Sequence, residues 1–105
     1  MDADQTKPIK RLRNLLTAGN LWLYVLSLIR QGGKVYAYEL PDKIEKDFFF
    51  RPSRVMIYVV LYKLEAEGLI SSEFEERRKY YHLTEAGKKT LEKAKDYFAL
   101  LAKRL

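Results

Sequence analysis

The stretch Ser53-Arg-Val-Met-Ile-Tyr-Val-Val-Leu-Tyr-Lys-Leu-Glu-Ala-Glu-Gly68 decides the fold. Ile57, Val60, Leu61 and Leu64 stand at i, i+3, i+4 and i+7, the spacing that gathers apolar side chains on one side of an α-helix. Ser53 is a favoured N-cap, and Gly68 is the kind of residue at which helices stop. The opposite side of the same helix carries Arg54, Val55, Tyr58, Val59 and Tyr62. A solvent-facing helix surface is ordinarily charged, so this aromatic and aliphatic face behind a single arginine predicts a covering partner.

Working outward, Asn20 to Gly32 is almost wholly apolar for ten residues, too long for an ordinary strand, and reads as a buried helix with Asn20 as N-cap. Ile9 to Leu16 reads as a shorter helical or extended arm. Tyr36 to Lys46 carries Leu40 and Ile44 at helical spacing, with Pro41 placed near the first turn because an interior proline loses a hydrogen bond. Beyond Gly68, Leu69 to Glu75 and Lys79 to Leu83 are β-prone runs joined by Glu76-Arg77-Arg78, a hairpin with a basic tip. Thr84 then caps a final helix of about 22 residues, ~33 Å long. Along it Leu91, Ala94, Phe98, Leu101 and Leu105 alternate spacings of three and four, the seam of a helix that packs on another helix.

Three helices, a hairpin and a helix, in that order, specify a mainly α fold with a small β-hairpin: a winged helix-turn-helix followed by a C-terminal dimerisation helix. The expected division is an arm and winged helix over residues 1–83 and a dimerisation helix over 84–105, within one structural domain. In such a fold the helix after Ser53 enters the major groove and the wing lies on the phosphate backbone or in an adjacent minor groove.

Composition narrows the function. The 105 residues hold 20 Lys+Arg against 14 Asp+Glu, one His and no Cys. Disulfide scaffolds, cysteine-ligated zinc and thiol catalysis are excluded, and a lone His82 argues against a metal site. His82 is expected to be structural. No apolar run is long enough to span a membrane and no secretory leader is evident, so a cytoplasmic protein is expected. There is no phosphate-cradling glycine loop, no paired catalytic carboxylates and no activated nucleophile, hence no enzyme and no cofactor is expected. The net charge of +6 is ordinary, but its distribution is not. From Gln5 to Tyr38 there is no acid while Lys7, Lys10, Arg11, Arg13, Arg30 and Lys34 are all basic, and a second acid-free window, Phe48 to Leu64, holds Arg51, Arg54 and Lys63. Such windows point to a polyanionic partner, of which nucleic acid is the commonest.

The stretch Phe50 to Ile70, followed by Arg78-Lys-Tyr-Tyr-His-Leu-Thr-Glu-Ala-Gly87, resembles the PadR family of transcriptional regulators, and Tyr38-Glu39-Leu40 is similar to that family's Gly-Tyr-Glu element. The resemblance spans about residues 13 to 90 and is similar to the short subgroup with a single C-terminal helix. It implies a DNA-binding homodimer joined through that helix, usually a repressor, in some members released by a flat aromatic effector held between subunits. Four elements of the family pattern differ: Ser53-Arg54-Val55-Met56 stands where Ser-Pro-Gly-Thr is usual, Val59 where a proline follows the Ile-Tyr pair, Tyr36-Ala37 replaces a His-Gly pair, and Pro41 has no usual counterpart. Most of these lie on the DNA face, so the resemblance does not carry an operator sequence.

Residue by residue, Arg54 is placed to reach a base edge, where an arginine pairs best with guanine. Ser53, Tyr38, Tyr58 and Tyr62 suit phosphate and backbone contacts, with core burial the alternative for Tyr62. Val55 and Val59 either pack on thymine methyls or close the core. Lys34, Arg51 and Lys63 are expected to hold the backbone, as are Arg77, Arg78 and Lys79 at the wing tip, unless these are merely solvated. Lys10, Arg11 and Arg13 either line the same duplex or belong to a helix that presses Leu12, Leu15 and Leu16 into a partner subunit. The dimer surface is then Leu12, Leu15, Leu16, Leu91, Ala94, Phe98, Leu101 and Leu105. Trp22 and Phe98 mark a candidate effector cleft, with a filled dimer core as the alternative.

These expectations combine into a homodimeric, sequence-specific DNA-binding repressor on an inverted-repeat operator, since a helix of ~33 Å would set two recognition helices close to the ~34 Å repeat of the major groove. Two other classes share the pattern: a nonspecific architectural DNA-binding protein, and a winged helix used for protein interaction. With two Asn, two Gln and two Met, the composition also resembles that of thermophile proteins.

Overall fold

The structure, a computed structural model, describes residues 2–105. Five helices and three strands follow in the order α1 (Lys7–Leu16), α2 (Leu21–Gly32), β1 (Val35–Tyr36), α3 (Leu40–Phe48), α4 (Arg54–Ala66), β2 (Ile70–Glu75), β3 (Arg78–Leu83) and α5 (Glu85–Arg104). Short 3-10 turns at Ala3–Gln5, Ala18–Asn20 and Ala37–Glu39 link them. The helix-turn-helix is α3 and α4, and the wing is β2 and β3.

Caps fall where the sequence puts them, with one exception. Ser53 accepts a hydrogen bond from the Met56 amide at 3.2 Å, and Thr84 accepts one from the Gly87 amide at 3.1 Å; each satisfies a donor that a helix start leaves free. Pro41 lies in the first turn of α3, where its missing N–H costs nothing. Asn20 is the exception. Its side chain makes no cap bond; it donates to the Leu15 carbonyl and accepts from Trp22 Nε1 at 3.2 Å, so it ties the end of α1 to α2.

The core is built around α2. Val25, Leu26 and Ile29 on α2, Leu40 and Ile44 on α3, Leu61 on α4 and Val35 on β1 are fully enclosed, and Ile57, Ile70 and Leu91 nearly so. Each such side chain contributes about 1.5–3 kcal/mol by leaving water. Among the described residues no charged or polar side chain is buried. Val60, expected in the inward stripe of α4, is half-buried and packs against this core from its edge.

Two features of the wing differ from expectation. It is a three-stranded antiparallel sheet in the order β1-β3-β2, because Val35 and Tyr36 pair with Tyr81 and Tyr80. Its turn is also tighter: Glu75 pairs with Arg78, so only Glu76 and Arg77 form the tip and Arg78 is a strand residue. Glu76 takes a positive φ of 60°, the geometry a two-residue hairpin needs at its first central position and one that usually selects glycine.

α1 is a helix rather than an extended arm, and no residue of it is buried. α5 begins in the core through Gly87 and Leu91, is tied to α2 by an ion pair between Arg30 and Glu92, and then extends into solvent.

Candidate nucleic-acid interface

The outward face of α4 is open. Val55 is 72% exposed, Tyr58 54%, Val59 46% and Tyr62 76%, which excludes core burial for Tyr62 and core closure for the two valines. Arg54 heads this face and Lys63 sits toward its far end; among the described residues neither has an ion-pair partner. The Ser53 cap holds the first turn of α4 and so fixes where Arg54 starts.

Beside that face lies a notch of about 170 Å³, lined by Tyr58 of α4, by Tyr36, Ala37 and Tyr38, and by Arg78, Lys79 and Tyr81 of β3. Tyr36 and Tyr38 stack with ring centroids 5.7 Å apart, and the Arg78 guanidinium lies 6.0 Å from the Tyr36 ring. Tyr38 remains 58% exposed. Hydroxyls, aromatic faces and two cations therefore converge between α4 and the wing, a set suited to a sugar-phosphate backbone. Of the expected contact residues, Tyr38, Ser53, Arg54, Val55, Tyr58, Val59, Tyr62 and Lys63 fall on or beside α4, and Arg77, Arg78 and Lys79 on the wing.

Two expected backbone contacts are engaged elsewhere. Lys34 Nζ lies 2.5 Å from Glu75 Oε2 and over the Tyr80 ring, so it fastens β1 to the wing strand instead of standing free. The hydrogen bond from Lys34 holds the Glu75 carboxyl below its ordinary range, and the same bond raises the Lys34 ammonium. Arg51 is held by Asp42 at 2.5 Å and Glu45 at 3.5 Å, both on α3, and braces the helix-turn-helix corner. Lys79 stays available, its contact with Glu65 being long at 3.8 Å and exposed.

His82 accepts or donates to Ser71 Oγ at 2.6 Å, bridging β2 and β3. Tyr80, which sequence reading did not single out, donates to Glu73 at 2.7 Å, and that bond raises its hydroxyl pKa. With Tyr36 donating to Glu75 at 3.4 Å, these side chains stiffen the outer face of the sheet.

Leu12, Leu15, Phe98, Leu101 and Leu105 are exposed, and Leu16 and Ala94 half-buried. Leu91 is not part of this surface: at 4% exposure it belongs to the core, because α5 is still docked on α2 at that turn. Tyr97 and Leu100 widen the surface and were missed by a seam restricted to alternating threes and fours; a full helical wheel would have included them. Trp22 and Phe98 line one groove of about 420 Å³, together with Leu16, Leu23, Lys93, Ala94 and Tyr97. Among the described residues no helix is long and apolar enough to cross a membrane.

Solved structures share this architecture. A PadR-like transcriptional regulator from Bacillus cereus is 32% identical, with a TM-score of 0.74 over 88% of this chain and 91% of that one. A PadR family regulator from Eggerthella lenta is 26% identical, with a TM-score of 0.76 over 91% and 87% of the two chains. PadR of Bacillus subtilis, solved in complex with operator DNA, is 28% identical with a TM-score of 0.61, covering 70% of this chain and 45% of that one. No curated protein matches the sequence. The family model of PadR-like transcriptional regulators matches residues 25–93, which include α3, α4, the wing and the start of α5. The fold, the helix-turn-helix with its wing and this match agree: the chain belongs to the PadR-like family of transcriptional regulators, proteins that control transcription rather than catalyse a reaction.

Proposed function

We propose that the protein is a homodimer that binds an inverted-repeat operator sequence-specifically and represses transcription. The observation that carries this reading is the open α4 face, on which Arg54, Val55, Tyr58, Val59 and Tyr62 project beside the notch formed with the wing. Arg54 is the base-reading residue at the groove-facing end of α4, Val55 and Val59 contact thymine methyls, and Tyr58 and Tyr62 hold the backbone together with Tyr38, Lys63, Arg77, Arg78 and Lys79. Bound operator in the Bacillus subtilis PadR structure supports the partner class.

The apolar surface of α1 and α5 supports the dimer. Over its 20 residues α5 spans ~30 Å, close to the ~34 Å between successive major-groove faces, which supports two half-sites on one side of the duplex. In this reading the Trp22 and Phe98 groove is covered by the partner's helix, and a flat aromatic effector competes for the same surface.

Gel-shift titration against the protein's own promoter tests the reading. Arg54→Ala and Tyr58→Ala are expected to bind more weakly, while random duplex competes poorly with the promoter for wild type. Equal binding by wild type and both variants would overturn the assignment of α4, and equal competition by random duplex would favour a nonspecific architectural protein.

A further inference from the structure

α1 is amphipathic in an unusual way. At 100° per residue Ile9, Leu12, Leu15 and Leu16 share one sector, and Lys7, Lys10, Arg11 and Asn14 the opposite one. None of these residues is buried. Among the described residues no ion pair engages Lys7, Lys10, Arg11 or Arg13. Asp2 caps the 3-10 turn ahead of the helix through the Asp4 amide and does not neutralise it.

Only part of this charge suits the helix itself: Arg13 lies in the last turn, where the dipole favours a cation, but Lys7 does not. The first turn of α1 holds no acid and begins with Lys7, although the N-terminal end of a helix dipole favours negative groups and repels cations. Lys7 stands where the dipole disfavours a cation and Lys10 and Arg11 have no acidic partner among the described residues, a stripe suited to an external anion. Its place in the molecule indicates which one. Ala18 and Gly19, which follow α1, share a groove with Val60, Lys63, Leu64 and Glu67 of α4. The C-terminal end of the arm therefore lies beside the second half of α4, where Lys63 is unpaired, and the helix itself spans ~15 Å.

We propose that the Lys7, Lys10 and Arg11 side of α1 holds the phosphate backbone of duplex DNA flanking the segment contacted by α4 and the wing. The proposal rests on the DNA-binding reading above and adds a separate contact to it. α1 then has two roles on two faces: Leu12, Leu15 and Leu16 toward the second subunit, Lys7, Lys10 and Arg11 toward DNA. The contact is electrostatic and independent of sequence, so it extends the footprint without altering operator choice.

The test compares full-length wild type with the K7Q/K10Q/R11Q variant and a charge-matched K89Q/K95Q/K103Q variant on α5. Each is titrated with random-sequence duplexes of about 40 and about 15 base pairs, from about 50 to about 200 mM salt. On the long duplex the arm variant is expected to lose about 2–3 units of slope in log affinity against log salt, and at least about tenfold in affinity at the lowest salt. On the short duplex, which does not extend to α1, it matches wild type. The α5 variant keeps the wild-type slope on both. Equal slopes for wild type and the arm variant on the long duplex would overturn the proposal, as would an equal loss in the α5 variant, which would mean that total charge alone is felt. A wild type that binds neither duplex overturns the DNA-binding reading itself. Unchanged melting temperature and mass show that the variants are folded and assembled as wild type.

Discussion

Gly87 passes so close to the Leu69 carbonyl that a Cβ on Gly87 would overlap the oxygen. Around this contact Thr84 Oγ1 donates to the Gly68 carbonyl at 2.6 Å, and the Thr84 amide donates to Leu69 at 3.2 Å. The first turn of α5 is thus seated on the backbone that leads into β2, and the direction in which α5 leaves the core is set there.

Gly87→Ala is accordingly expected to destabilise the protein. Alanine is the better helix former by about 1 kcal/mol, but the obstruction is backbone oxygen, which cannot swing aside as a flexible side chain can. Overpacking of this kind costs about 1–3 kcal/mol, so the clash wins and the melting temperature followed by circular dichroism should fall by several degrees. A melting temperature equal to or above that of wild type would show that the two segments are not in close contact.

Arg51 and Arg54, three residues apart, should behave differently. Arg51 is already held by Asp42 and Glu45, so Arg51→Ala is expected to leave operator affinity within about threefold and, as an exposed pair, to change stability little. Arg54→Ala loses a base contact, about 1–3 kcal/mol or roughly tenfold or more in affinity. Fluorescence anisotropy with a selected operator separates the two, and a larger loss for Arg51→Ala would reverse their roles.

Leu101→Asp places a charge in the exposed apolar stretch of α5 without touching the core. The expected result is a monomer by light scattering at micromolar concentration, with helical content retained and operator affinity sharply reduced. A variant that remains dimeric would place the subunit contact elsewhere.

The Lys34–Glu75 pair makes the wing pH-dependent. Its carboxyl is lowered by the Lys34 hydrogen bond, so the contribution is complete above the ordinary glutamate range and is lost as pH falls through the lowered value. The ammonium is raised by the same bond, so its contribution is complete below the ordinary lysine range and is lost as pH rises through the raised value. Tyr36 and Tyr80 ring resonances should report wing loosening on acidification, and Glu75→Gln should abolish that step. A step that persists in Glu75→Gln would have another origin.

The parts of the fold legible in the sequence are those with a local physical signature. Ser53 and Thr84 are capping residues followed by periodic apolar runs, and both cap as expected. β1 escaped notice because two residues, Val35 and Tyr36, are too few to show alternation, and their partners on β3 are more than forty positions away. The hairpin tip was set one residue too long because Glu76 occupies a positive φ with no glycine or asparagine to announce it. At the interface, residue type and helical phase placed Arg54, Tyr58 and Tyr62 outward, but the carboxylates that capture Lys34 and Arg51 come from other elements and only the folded chain brings them together. Leu91 shows the same limit, since a seam periodicity does not reveal at which turn α5 leaves its own core.

The enclosed interior is hydrocarbon apart from the Tyr81 ring, with no charged side chain buried among the described residues and no thiol in the sequence. Among the described residues acid meets no carboxylate, amine or imidazole there, and an oxidant meets no sulfur. A cell that adjusts this regulator has to do so from outside the core, by what occupies its surfaces and by how many copies it makes.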